Sequence, residues 1–247
     1  MEHYGKTHVG LVRQVNQDCF EQLTLPEGGL LAMVCDGMGG PGGGEVASAM
    51  AVEWIANRLL SAYRPEMEDR AVLELLLTAT EEANYEIFLK GSREAEHSGM
   101  GTTAVMALVR GQSAGIVSVG DSRAYLFTNM EDGDRLIQIT HDHSVVQELV
   151  DAGNLTAGEA RTHPKRNIIT RALGTQRHVE ADCFKVTLLP GDRLLLCSDG
   201  LNVMVDDDRL LSLIGRNDTV EDTVHGLIDA ALKAGATDNV TAVLISV

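Results

Sequence analysis

Apolar residues along this chain fall into short runs divided by turn residues. Runs of strand length occur at Leu30–Cys35, Thr103–Val109, Ala114–Val119, Ala124–Thr128, Leu136–Ile139, Leu194–Cys197 and Val240–Val247. Pro190-Gly191-Asp192, Asp132-Gly133-Asp134 and Gly111-Gln112 punctuate them as turns. Only a few residues separate 109 from 114, 119 from 124 and 128 from 136, so hairpins are the natural connections.

Two long blocks instead carry a helical period. Val46, Met50 and Trp54 share one face of the first, and Val72, Leu76, Ala79, Ala83 and Ile87 one face of the second. The blocks stand back to back, which predicts a helical hairpin turning near Arg64-Pro65. A third helix, near Thr219–Lys233, carries Val220, Val224, Leu227 and Ile228 and stops at Gly235. A less regular stretch, Ser144 to Arg171, contains the capping box Thr156-x-x-Glu159. Antiparallel strands with helices grouped apart predict an α+β layered sandwich, read as one domain over 1–247.

Composition narrows the function classes. Thirty-six acids against 20 Lys and Arg give a net charge of −16. That balance opposes binding to nucleic acid or to an anionic membrane, both of which need a cationic face. It leaves carboxylates free for divalent cations. Cys19, Cys35, Cys183 and Cys197 form no Cys-x-x-Cys pair, and Cys35 and Cys197 lie in apolar runs, as buried thiols do. The expected setting is a reduced cytoplasm. "MEHYGKTHVG" does not read as a signal sequence, and no apolar run approaches the ~18 residues of a membrane span.

Gly37, Gly39 and Gly42 satisfy G-x-G-x-x-G between an apolar run and a helical pattern. A dinucleotide site would require a second strand after that helix, ending in an acid. Here a second helix follows, and Glu66, Glu68 and Asp69 read as its first-turn acids. No Gly-Lys-Ser/Thr follows the glycines either, which removes a phosphate loop.

The residue before the glycines is the more informative one. Asp36-Gly37 ends an apolar strand, as does Asp199-Gly200; Gly120-Asp121 ends another, and Asp238-Asn239 opens the last. A carboxylate at a strand end can project past the hydrophobic layer, and glycine beside it lets a cation approach. Clustered carboxylates repel unless a divalent ion sits among them. Oxygen-only ligands suit Mg²⁺ or Mn²⁺, and no His/Cys spacing suggests zinc. Asp-Gly also makes ordinary turns, and periodicity leaves open whether the four acids converge as a two-metal hydrolase requires.

Nine motifs then occur in order: "RQVNQD" from Arg13, "DGMGG" from Asp36, "GEVAS" from Gly44, "GMGTTA" from Gly99, "VGDSRAY" from Val119, "DHS" from Asp142, "HPKRNIITRALG" from His163, "CSDGL" from Cys197 and "TDNVTAV" from Thr237. Together they resemble the metal-dependent protein phosphatases of the PPM, or type 2C, family in their compact bacterial form, over essentially the whole chain. The resemblance implies a four-layer α-β-β-α sandwich, two packed antiparallel sheets flanked by helical pairs. It implies two core Mg²⁺ or Mn²⁺ ions bridged by Asp36. The Gly37 carbonyl would serve one ion, Asp199 and Asp238 would complete the other, and Asp18 would act through water. Asp121, with Asp199, resembles the ligands of a third ion. Arg13 would hold the substrate phosphate, which suits a guanidinium fork. Residues 144–174 correspond to a flap beside the active site.

The implied activity is hydrolysis of phosphoserine and phosphothreonine in proteins by a metal-activated water, opposing a bacterial Ser/Thr kinase, in a cytoplasmic monomer. The alternatives are a catalytically weak phosphoprotein-binding regulator and a small-molecule phosphatase. One departure matters. Met38 and Pro41 stand where the family often places a histidine that protonates the leaving oxygen. His163 is the candidate to replace it. His141 and His143 read as solvated, Arg123 and Thr102-Thr103 as packing residues, Met38 likewise, and Asp206-Asp207-Asp208 as an acidic helix start.

Overall fold

The computed structural model describes residues 1–247 apart from Pro41, Glu131, Asp132 and Asn217. Pro41 of the glycine segment and Asp132 of one predicted turn therefore lie outside the described residues. In chain order the strands are β1 (Glu2–His8), β2 (Asp18–Thr24), β3 (Leu30–Met38), β4 (Gly101–Thr102), β5 (Ala104–Arg110), β6 (Ser113–Val119), β7 (Arg123–Met130), β8 (Gly133–Gln138), β9 (Asp182–Thr187), β10 (Arg193–Cys197) and β11 (Val240–Ser246). The α-helices are α1 (Gly43–Ala62), α2 (Asp69–Arg93), α3 (Val145–Asp151), α4 (Ala157–Thr162), α5 (Asp199–Asn202), α6 (Asp207–Ile214) and α7 (Val220–Lys233).

The strands make two antiparallel sheets, ordered β1-β11-β10-β7-β8 and β2-β3-β5-β6-β9, with β4 paired to β3. Alternation along each central strand then sorts side chains into three apolar layers. Leu31, Met33 and Cys35 of β3 face α1 and α2, while Leu30, Ala32 and Val34 meet the other sheet. Leu195 and Cys197 of β10 face α6 and α7, while Leu194 and Leu196 fill the space between the sheets. Each central strand is thus buried on both faces, which is why it reads as a continuous apolar run. The result is the expected α+β sandwich.

Apart from the two-residue β4, three strands went unpredicted: β1, β2 and β9. All are outermost in their sheets, where one edge and part of one face stay wet and polar residues are tolerated. The helical hairpin is present, but α1 buries a different face from the one expected. Trp54 is 43% exposed, and Ala47, Ala51, Ile55 and Leu59 are fully buried against β3 instead. Small alanines let the helix lie close to the sheet, and the bulky indole is left outside. Ile55→Ala is therefore expected to cost about 2–4 kcal/mol and Trp54→Ala less than about 1. Thermal melts would show this as a drop of roughly 4–16 °C for the first variant only.

Candidate metal centre

Antiparallel neighbours place the end of one strand beside the start of the next, so acids at alternate strand ends collect at one end of the sandwich. Asp18, opening β2, pairs directly with Asp36 near the end of β3. Asp121 follows β6, Asp199 follows β10 as the first residue of α5, and Asp238 precedes β11. The two sheets meet at Asp18. Its Oδ2 accepts hydrogen bonds from Ser198 Oγ (2.7 Å), just past β10, and from Thr241 Oγ1 (2.6 Å) in β11. Its Oδ1 is buried with no hydrogen-bond partner. An orphaned buried carboxylate oxygen is costly unless something outside the protein chain uses it.

Asp36 is fixed through its backbone. Its N–H donates to Thr103 Oγ1 (3.0 Å), and its carbonyl accepts from Thr103 N (2.8 Å) and Thr102 Oγ1 (2.9 Å). Thr102 and Thr103, read as packing residues, therefore hold the strand that carries the acid. The glycines after Asp36 serve the same end. A Cβ on Gly37 would collide with the Gly44 carbonyl in the first turn of α1, so glycine lets the helix press against the strand. Gly200, beside Asp199, is likewise closed off by the Asn239 carbonyl.

The acids feel one another. Burial, then the charges of Asp18, Asp199, Asp121 and Asp238, hold the Asp36 carboxyl well above the usual carboxylate range. Burial pushes Asp18 up to about 7, Asp121 up to about 8 and Asp199 up to about 6. Like-charge repulsion adds to each, while the Thr241 and Ser198 hydroxyls partly offset it at Asp18. Arg13 Nη2 donates to Asp238 Oδ2 at 2.7 Å, and this bond raises the guanidinium pKa, helped by the charges of Asp36 and Asp199. Asp36, Asp121, Asp199, Asp238 and Arg13 all line one cleft of about 250 Å³. Among the described residues, a tight trio of ligand atoms within 4.8 Å of one another occurs only at Glu94, Glu96 and His97, on the surface. The cleft acids are more widely spaced. That spacing suits more than one ion and waters between ion and carboxylate better than a single closed cage.

Other expected residues fare differently. His163 does not line the cleft: it caps α4, with its Nδ1 accepting from Lys165 N at 3.2 Å. The flap residues on the cleft wall are Asn167 and Ile169. Met38 is half-buried and lines the cleft. His141 is exposed and pairs with Asp151, but His143 is only 5% exposed, which corrects its reading as solvated. Gly120 N donates to its Nδ1 (3.0 Å), so the proton of the neutral ring lies on Nε2, which faces Asp182 Oδ2 at 3.3 Å. His143 N also donates to Gly120 O (2.9 Å), and Thr170 N to His143 O (2.8 Å). One residue thereby ties the Asp121 loop to both roots of the flap. Arg123 forms a bidentate bond to Asp142, and Asp206 caps α6 as an acidic helix start. Sequence reading overlooked Ser198, Thr241 and Asn239. The available signal was that each lies within three residues of an expected acid or inside a quoted motif.

The sequence matches the family described as protein phosphatase 2C over residues 5–233. It is 37% identical to serine/threonine phosphatase stp of Listeria innocua, over 97% of this chain and 93% of that protein. It is 38% identical to serine/threonine protein phosphatase PstP of Mycobacterium tuberculosis, over this whole chain and 45% of that protein. The crystal structure of serine/threonine phosphatase Stp1 from Staphylococcus aureus superposes with a TM-score of 0.94 at 37% identity, covering 100% of this chain and 94% of the other.

The acid cluster sets a pH dependence. Unfolded aspartates titrate near 4, whereas Asp18, Asp121 and Asp199 hold their protons to about 7, 8 and 6 when folded. The folded chain without metal binds more protons than the unfolded one across that window, so these groups make stability fall as pH rises from about 4 to 8. Melting temperatures in EDTA are expected to decline over that range, and less steeply in Asp36→Asn. Added Mn²⁺ is expected to raise the melting temperature more at pH 8 than at pH 5, since it competes with fewer protons. An EDTA series that is flat, or that climbs equally in both proteins, would contradict the shared-proton cluster.

Proposed function

The chain belongs to the protein phosphatase 2C family and is a metal-dependent serine/threonine protein phosphatase, and we propose that it hydrolyses phosphoserine and phosphothreonine in proteins at the cleft lined by Arg13, Asp36, Asp121, Asp199 and Asp238. The observation that carries this reading is Asp18. A carboxylate with one oxygen satisfied by hydroxyls and the other orphaned, beside Asp36, Asp199 and Asp238, fits a divalent ion better than any state of the protein alone.

Mg²⁺ or Mn²⁺ is the proposed metal, on oxygen-donor chemistry, with two core ions and a third, weaker one. Asp36 and the Gly37 carbonyl, Asp199 and Asp238 would hold the core pair, Asp18 would act through water, and Asp121 with Asp199 would hold the third. When bound, the ions supply charge that offsets the phosphoryl oxygens and lowers the pKa of the attacking water. Arg13 Nη2 donates to Asp238 Oδ2 at 2.7 Å. Its guanidinium fork would hold the substrate phosphate through two parallel hydrogen bonds and so orient it for in-line attack. The threonine clamps on Asp36 keep the acids in place, which is the preorganisation such charge stabilisation needs. None of the described histidines lines the cleft, and in this reading the departing serine or threonine oxygen takes its proton from water, with His163 the alternative donor.

The same proposal takes residues 1–247 as one catalytic domain with a flap at about 144–174, cytoplasmic and monomeric, opposing a Ser/Thr kinase. The four cysteines are unpaired, and among the described residues no helix is long and apolar enough to cross a membrane. The full acid set with Arg13 argues against a non-catalytic binding protein, which would need neither.

Phosphate release from a phosphothreonine peptide tests the reading. Turnover with Mn²⁺ is expected to vanish in EDTA and to fall by at least roughly 10²-fold in Asp36→Asn, with the melt still cooperative. Release that survives EDTA, or an Asp36→Asn enzyme as fast as the parent, would overturn it.

A further inference from the structure

Exposed apolar side chains are unremarkable when scattered. Here four of them lie in the two chain segments that supply the cleft-lining residues Arg13, Asn167 and Ile169. Of the large apolar residues exposed among the described residues, Leu11, Val12 and Val15 stand within five positions of one another, 62%, 65% and 52% exposed. They flank Arg13. Ile168, 48% exposed, sits on the flap between the cleft-lining residues Asn167 and Ile169.

The segment carrying them is anchored, so its apolar side chains cannot simply turn inward. Asn239 Nδ2 donates to the carbonyls of Val9 (2.9 Å) and Val15 (3.0 Å), and Asn239 Oδ1 accepts from Gln17 N (2.8 Å). Leu11 N donates to Ala236 O (2.9 Å). One residue, adjacent to Asp238, grips the loop at both ends and leaves the arc 11–15 facing solvent. Apolar residues held outward beside a binding cleft mark a surface that another molecule covers.

Resting on the phosphatase reading, we propose that Leu11, Val12 and Val15, with Ile168 across the cleft, form a subsite for apolar side chains next to the phosphorylated residue of a protein substrate. Continuity selects the occupant. Arg13 lies in the middle of the arc and also lines the cleft, and an extended chain advances about 3.3 Å per residue. Neighbours one or two places from a phosphoresidue held at Arg13 therefore fall over residues 11–15. Charge selects against the other occupants. A chain of net charge −16 repels an anionic bilayer, and the cleft acids repel acidic flanks.

The test is a set of phosphothreonine peptides of equal length whose flanking residues are Leu/Val, Ser or Asp, with p-nitrophenyl phosphate as a flankless probe. Each is turned over with Mn²⁺ by the parent and by the triple variant Leu11→Ser/Val12→Ser/Val15→Ser. The parent is expected to favour apolar over serine flanks by about tenfold in kcat/KM, mainly through KM, with acidic flanks worst. The triple variant is expected to bring apolar and serine flanks within about twofold, with p-nitrophenyl phosphate turnover unchanged. A parent without flank preference overturns the subsite whatever the variant does. So does an equal loss on every substrate, which would mean the residues support Arg13, and so does an unchanged preference accompanied by lost binding to phosphatidylcholine vesicles. If the parent turns over no substrate at all, the phosphatase reading fails, and the subsite fails with it.

Discussion

One carboxylate holds the two halves of this molecule in register. Asp18 begins a strand of one sheet, and its Oδ2 is bonded to hydroxyls that belong to the other. Hydrogen bonds to a charged acceptor are short and strong, and these two join residues 180 and 223 positions apart in sequence. They tie the start of β2, paired there with Asp36, to the ends of β10 and β11 near Asp199 and Asp238. The cost is a second oxygen, Oδ1, left dry and unpaired. The same contact therefore stabilises the sandwich and leaves a local need for positive charge.

The surroundings resist the obvious relief, which is for the acids to move apart. Asp36 is clamped through its peptide groups by Thr102 and Thr103, Gly37 is sealed beneath α1, and Gly200 is closed over by Asn239. With the backbone held in this way, burial and then repulsion favour proton uptake by Asp36, and Arg13 pairs with Asp238. His143 extends the same rigidity sideways, bonding Gly120 from both its ring and its backbone while accepting from Thr170. The flap and the Asp121 loop thus share one hinge post.

Much of this was legible in sequence, for identifiable reasons. Central strands such as Leu30–Met38 are buried on both faces and must be written in apolar residues. Asp36, Asp121, Asp199 and Asp238 were visible because each interrupts such a run at its end. The polar edge strands β1, β2 and β9 were not visible, because an edge is permitted almost any residue. The buried face of α1 was misread because alanine carries little weight in a hydrophobic pattern, although Ala47 and Ala51 allow the close approach and Trp54 would forbid it. His143 was misread because only three dimensions show Gly120 and Asp182 around it. His163 was singled out by its motif, yet α4 ends with it turned to its own backbone. The functions of Ser198, Thr241 and Asn239 depend on partners more than 40 or 200 residues away, and no local spacing encodes them.

The pairing of β1 with β11, running from Glu2 opposite Ser246 to His8 opposite Val240, has a consequence for biosynthesis. Arg13 and Asp18 are made 225 and 223 residues before their partners Asp238 and Thr241. Until those partners emerge, Asp18 has no hydroxyl from β11 and the loop around Arg13 has nothing to grip it. Long-range closure of this kind is slow and comes late in folding. The acid cluster therefore cannot be completed until the chain through Thr241 has been made.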